Sequence, residues 1–203
     1  MDAFIRVRHV AAFGIASAFV SLGLAGSIAL AAPDTKVAHI TVTSSDLGRD
    51  SAHGFPETYT LNAYGCTGGN QSPPLSWSGA PAGTKSFIVT LYDPDDRANP
   101  SGWWHWVAYD IPATTTSLLV GAGVEHSTKL PTGTHQGRSD LGKMAYHGPC
   151  PDKGDKPHHY TFTVYAIDVA QLAVDEGASG AMVVETAQDH LLGKGTLVVT
   201  QSR

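Results

Sequence analysis

The sequence predicts a mainly β fold with few helices, its strands mostly antiparallel and its one convincing helix near the C-terminus. Three observations lead there. First, 22 Gly and 12 Pro are scattered without a repeat through 203 residues of which only 15% are charged, a composition that favours short strands joined by turns. Second, several segments alternate apolar and polar residues and are rich in β-branched and aromatic side chains. Third, only one stretch carries helical spacing together with both a start and a stop signal.

The N-terminal thirty residues differ from the rest. Arg6, Arg8 and His9 precede an uncharged run, VAAFGIASAFVSLGLAGSIALA, that closes on Ala29-Leu30-Ala31, an A-x-A cleavage signature. We read residues 1–31 as a secretory signal peptide and 32–203 as a single domain, which places the mature protein in the periplasm or outside the cell. An uncleaved anchor is the alternative, since the run reaches the roughly 20 residues that span a bilayer, but its Gly, Ala and Ser content favours cleavage.

Beyond the leader, HITVTSSD alternates as a strand. GTKSFIVTLYD sets Phe87, Val89 and Leu91 on one face and Ile88 and Thr90 on the other, apolar enough on both sides for a central strand. HWVAYDIP, HHYTFTVYAID and GTLVVTQS continue the pattern. SGAMVVETAQDHLL is the helix, with Ser179 as its cap, Met182, Val183, Thr186, His190 and Leu191 near one stripe, and Gly193 as its stop. Segments 65–81 and 130–157 are long, irregular and loaded with Gly and Pro, lengths that in a compact domain point to ordered functional loops.

The net charge of −5 offers no basic surplus to attract nucleic acid. Only Cys66 and Cys150 are present, and an even count in an oxidising compartment predicts one disulfide, with two separate buried thiols as the alternative. The bridge would close a long loop and add roughly 4 kcal/mol on a chain-entropy model. There is no C-x-x-C, and no thiol chemistry is expected.

The chemistry-bearing residues fall at predicted strand ends. His158 and Tyr160 share a face while His159 turns away. Asp93 and Asp95 sit just past FIVTLY, and Trp104-His105-Trp106 opens the following strand. The Gly148-Pro149-Cys150-Pro151 turn precedes the His158 strand and can form a fixed wall, Gly148 allowing a ligand close to the backbone. Imidazoles and a phenol donate hydrogen bonds to an anion, and an acid beside a histidine holds its ring and favours its protonated form. The same acids would receive an ammonium, so a zwitterion would be matched at both ends, with a tryptophan covering the edge.

NQSPPLSW (70–77), DPD (93–95), GWWHW (102–106), YHGPCPDKG (146–154) and HHYTFTVYAID (158–168) together resemble the phosphatidylethanolamine-binding protein (PEBP) family, in its bacterial Raf-kinase-inhibitor-like branch. The match covers nearly all of the mature chain, and the five blocks occur in order along it. The resemblance implies a PEBP-like antiparallel β-sandwich with a small pocket for phosphate, acetate or a phosphoethanolamine head group. By position, the pocket is Asp93, Asp95, His105, Gly148, His158 and Tyr160, with Trp104 and Pro151 at its edge. The chain departs from the family pattern at Asp96-Arg97 and at Asp152, acids that would weaken anion binding unless Arg97 or Lys153 offsets them.

Competing readings are weaker. Asp and His side chains could ligate zinc, but no HExxH or paired C-x-x-C spacing exists, and no metal or cofactor is expected. GRSDLGKM (137–144) fits GxxxxGK but has Met144 where a magnesium ligand belongs. Ser72, Ser101 and Ser139 could each be imagined in a hydrolytic triad, yet there is no G-x-S-x-G elbow. Trp103, Trp106, His147 and His159 are expected in packing or at the surface. The expectation is therefore a non-enzymatic exported binding protein, monomeric or homodimeric, that holds a small anionic or zwitterionic ligand and acts in regulation or inhibition, on a protein target in the latter case. Protease inhibition by a surface loop is the second reading and an unrecognised hydrolase the third.

Overall fold

Alternating side chains build a sheet that is buried on both faces. Strand β4 (Ser86–Asp93) is flanked by β5 (Trp103–Pro112) and β8 (His158–Ile167), both antiparallel to it. On its inner face Phe87, Val89 and Leu91 join Trp106, Phe162 and Val164 in the main core; on its outer face Ile88 joins Val107, Tyr109 and Tyr165 in a second cluster. A strand covered on both sides reads as nearly continuously apolar, as SFIVTLY does.

The computed structural model describes residues 37–48 and 54–203; the expected leader lies outside the described residues. The large sheet has six strands, with β1 (Ala38–His39) and β9 (Leu191–Gln201) continuing it beyond β8 and β7 (His135–Gln136) closing the edge beyond β5, in the order β1-β9-β8-β4-β5-β7. Among the strands of the described residues the β1–β9 pair is parallel and the other strand pairs are antiparallel. A smaller sheet, β2 (Thr41–Thr43), β3 (Leu75–Ser78) and β6 (Ser117–Leu118), supplies Val42, Leu75, Trp77 and Leu118 to the main core. The long segments 65–81 and 130–157 are thus not wholly irregular, since β3 and β7 arise within them.

Helix α1 (Gly180–Ala187) covers the outer face through Val183 and Ala187, and the Ser179 hydroxyl accepts from Met182 N as its cap. The helix is shorter than its sequence pattern. After a 3-10 turn at Gln188–His190 the chain enters β9 at Leu191, because Leu191 pairs with Ile167 and Asp168 N donates to His190 O, so sheet pairing captures the residues expected as the last helical turn. Met182, expected on the apolar stripe, is exposed. Trp104 lies against Gly180, where a Cβ would come within 2.6 Å of its ring, so a side chain at 180 would lift the helix off the sheet.

Phe162→Ala should destabilise the fold by about 3–5 kcal/mol, since Phe162 is fully buried between the sheets. Ser179→Ala should cost about 1 kcal/mol through the lost cap. Urea unfolding of the two variants beside the parent checks both.

Candidate functional site

A break in strand alternation creates the site. Along the β4–β5 ladder Leu91 pairs with Trp106 but Tyr92 pairs with Trp104, which leaves His105 as an extra residue in β5. Such a bulge re-aims side chains. Strict alternation would put His105 on the outer face with Val107; instead its ring lies edge-on to inner-facing Tyr160, with centroids 5.2 Å apart. The bulge is held by a reciprocal pair, His147 N donating to His105 O at 3.0 Å and His105 Nδ1 donating to His147 O at 2.9 Å. That second bond fixes the tautomer, so Nε2 is the ring nitrogen left for a ligand.

Asp93, the last residue of β4, is 2% exposed and is the hub of the opposite wall. Its Oδ2 accepts from His158 Nδ1 at 2.7 Å and its Oδ1 from Asp95 N at 2.8 Å, and its charge acts on the Tyr160 phenol. His158 Nε2 is buried with no hydrogen-bond partner, the nearest acid oxygen being Asp155 Oδ2 at 3.6 Å. The third wall is the 148–151 turn. Asn70, itself left-handed at φ 48°, accepts from Gly148 N through Oδ1 at 2.9 Å, and Cys150 is joined to Cys66 in a disulfide.

These walls enclose a cavity of about 350 Å³, within the range of small-molecule sites. Of the residues named from sequence, Asp93, His105, Gly148, His158, Tyr160 and Pro151 line it. Two expected residues do not. Asp95 points away, its carboxylate accepting from His159 N and Nδ1 at 2.7 and 2.8 Å, so it caps the start of β8 instead. Trp104 faces outward against Tyr92 and α1, and Trp103 lines the cavity in its place, because the bulge shifts the facing of the strand by one residue. The reason for glycine at 148 also differs. A Cβ there would overlap Tyr59 O and Leu61 N, so the close approach is to the protein's own chain.

Sequence reasoning missed Leu61, Tyr64, Leu141 and Asp155 on the lining. It also missed Asn70 as the anchor of the Gly148 turn. Asn is among the few non-glycine residues that adopt the left-handed region readily, and Asn70 before Gln-Ser-Pro-Pro was the only hint available.

The two histidines are opposed electrostatically. Burial pushes His105 down to about 4, against smaller upward pulls from its bond to His147 O and the charge of Asp93. Burial would lower His158 as well, but its hydrogen bond to Asp93 and the charges of Asp93, Asp155 and Asp95 outweigh it and raise the group above its ordinary value. Tyr160 is pushed well above the ordinary phenol range, by burial first and then by Asp93. Near neutrality the inner site thus holds a neutral acceptor at His105 Nε2 and a neutral phenol, while His158 is the histidine whose protonated form Asp93 favours. The rim holds Asp96 and Asp152, with Arg97 paired to Asp155 at 3.2 Å, so Arg97 offsets one acid of the rim; Lys153 is not on the lining. Among the described residues no cluster of three or more His, Cys, Asp or Glu side chains is arranged to hold a metal ion.

The sandwich with its histidine-lined cavity is that of a known class. The phosphatidylethanolamine-binding protein family model matches residues 51–202, and the chain belongs to that family. YbcL of Escherichia coli K12 is 49% identical over 148 residues, covering 73% of this chain and 79% of YbcL. YbhB of the same organism is 46% identical over 143 residues, covering 70% and 89%. The crystal structure of E. coli YbcL, described as a new member of the mammalian PEBP family, superposes with a TM-score of 0.76 at 44% identity, over 81% of this chain and 98% of that one. CT736 of Chlamydia trachomatis follows with a TM-score of 0.63 at 29% identity, over 82% and 98%.

An unfolded His105 takes up its proton near pH 6.5, whereas the folded one stays neutral down to about 4, so this residue makes stability rise with pH across that window. His158 acts with the opposite sign, its contribution being full below 6.5 and lost as pH rises through its raised folded value. His105→Gln should therefore narrow the stability difference between pH 7 and pH 4.5 by roughly 2 kcal/mol in urea unfolding. In Asp93→Asn, the NMR titration midpoint of His158 should fall by more than about one unit.

Proposed function

We propose that this is an exported binding protein whose cavity holds one small anionic or zwitterionic group of the phosphoethanolamine kind, and that its role is regulatory or inhibitory without turnover. The observation that carries this reading is the pair of ring nitrogens, His105 Nε2 and His158 Nε2, that face a ligand-sized cavity and make no hydrogen bond among the described residues. Buried polar atoms are nearly always hydrogen-bonded, and an oxygen-rich group satisfies both. A protonated phosphate or a carboxylic acid would accept from His158 and donate to His105. A phosphodiester has no proton to donate, so its binding requires His105 to take one up. The rim acids Asp96 and Asp152 suit an ammonium beside the phosphate, which turns the departures from the family pattern into a preference for a zwitterion over a bare anion.

The absence of turnover draws support from the lining, which contains no serine, threonine or lysine. The three serines considered as nucleophiles all lie off the lining, and the Ser72 hydroxyl accepts from Gly123 N. Export draws support from the leader sequence and from the disulfide.

Thermal denaturation with added ligand tests the reading. Phosphate and phosphoethanolamine should each stabilise the parent by about 2.7 kcal/mol at a hundred times Kd, and should leave His105→Ala and Tyr160→Phe unshifted. Equal stabilisation of all three proteins removes the site. Calorimetry in buffers of different ionisation enthalpy should show proton uptake when a phosphodiester binds and affinity that rises as pH falls from 8 towards 6, through His105. Asp152→Asn together with Asp96→Asn should weaken phosphoethanolamine more than phosphate; equal effects on both would exclude the ammonium contact.

A further inference from the structure

The disulfide lies between two cavities. Cys150 and Pro151 line the binding cavity and also a second, open cavity of about 340 Å³, which Cys66 lines from the other side. The bridge ties the 148–151 wall to the 63–66 turn, whose Tyr64 lines the binding cavity while being 74% exposed. This turn is strained, since Tyr64 at φ 53° is a bulky side chain in the left-handed region, followed by Gly65 at φ 79°. Besides the disulfide and local turn bonds, the turn is held by Arg203, whose Nη1 donates to Tyr64 O at 3.2 Å and Nη2 to Gly65 O at 2.7 Å. The same Nη1 lies 3.3 Å from Cys150 Sγ.

That contact makes the two sulfurs unequal. In thiol–disulfide exchange the better leaving group is the sulfur whose thiolate is better stabilised, and a neighbouring guanidinium lowers a thiol's pKa. Cys150 has such a neighbour. Cys66 is half-buried and reached from the open cavity; Arg203 lines that cavity too, but the sulfur its guanidinium touches is that of Cys150.

We propose that Cys66–Cys150 is an exchange site for an external dithiol and that its redox state sets the wall of the binding cavity. One thiolate of the dithiol attacks Cys66 Sγ; the Cys66–Cys150 bond breaks and Cys150 leaves as a thiolate beside Arg203. The second thiolate then attacks its partner sulfur in the mixed disulfide, forming the dithiol's own disulfide and releasing Cys66. Two electrons pass from the dithiol to the cysteine pair, and the protons pass to the cysteines and solvent. The strained 62–67 turn, freed of its crosslink, relaxes and withdraws Tyr64 from the cavity. The control of ligand rests on the function proposed above; the exchange chemistry does not.

The test uses the oxidised full chain. Reaction with 2-mercaptoethanol followed by alkylation and peptide mapping should place the mixed disulfide on Cys66 and the alkyl group on Cys150. Arg203→Ala should slow reduction by dithiothreitol roughly fivefold. On reduction, hydrogen exchange should accelerate over 62–67 while β8 keeps its protection, and phosphoethanolamine should bind at least threefold more weakly. An adduct on Cys150, an unchanged rate in Arg203→Ala, unchanged exchange over 62–67, or loss of protection throughout β8 would each overturn the proposal. Unchanged affinity in a reduced protein that has loosened over 62–67 would overturn control of the ligand. If the oxidised protein binds no phosphoethanolamine, the proposed function fails instead, and adduct position with hydrogen exchange still decides whether the exchange site exists.

Discussion

The bulge at His105 governs the site. One extra residue in β5 turns a side chain that strict alternation would bury on the outer face into the inner face, where Tyr160 and His158 already point. The same residue decides the fate of its neighbours: Trp103 reaches the cavity, Trp104 packs on α1 and Trp106 fills the core. The bulge is held from across the chain by the backbone of His147, so the loop that carries Gly148 and Cys150 is docked by the feature it helps to complete. Cavity wall and bulge are therefore one cooperative unit.

Within that unit the protein builds two histidines of opposite character from similar burial. His158 lies against a carboxylate and is raised; His105 lies against a carbonyl and is lowered. A carboxylate stabilises the added charge of an imidazolium, whereas a carbonyl offers only a dipole that does not offset desolvation. The result is two rings of unlike proton affinity facing the same space, and on this contrast the proposed ligand preference rests. The acids Asp96 and Asp152 stand farther out on the same lining.

The 57–70 segment shows how far the support of the site extends beyond the residues that line it. Tyr146 donates to Tyr59 O, Leu61 N donates to Pro149 O, and Gly68 and Asn70 return to the backbone of residues 60 and 61. Gly148 can pack against this segment only because it lacks a Cβ. The disulfide and Arg203 fasten the outer part of the same segment, so the cavity has a firm inner wall and an outer wall that depends on a crosslink.

Much of this was legible in the residues alone. Period-two patterning identified the central strands and the shared facing of His158 and Tyr160, and Ser179 identified the start of the helix, because these depend on side chains close in sequence. Of the six pocket residues that the family blocks named, five line the cavity. What local pattern could not reach was any outcome decided by pairing between distant segments. The helix ended early because Leu191 found Ile167 in the sheet. Asp95 was lost to His159 and Trp104 to α1, and Asn70 became an anchor, each through a partner 64 or more residues away in the chain. A bulge is a mismatch between two strands and is not a property of either, so the resemblance could name His105 but only the tertiary structure shows why it faces inward.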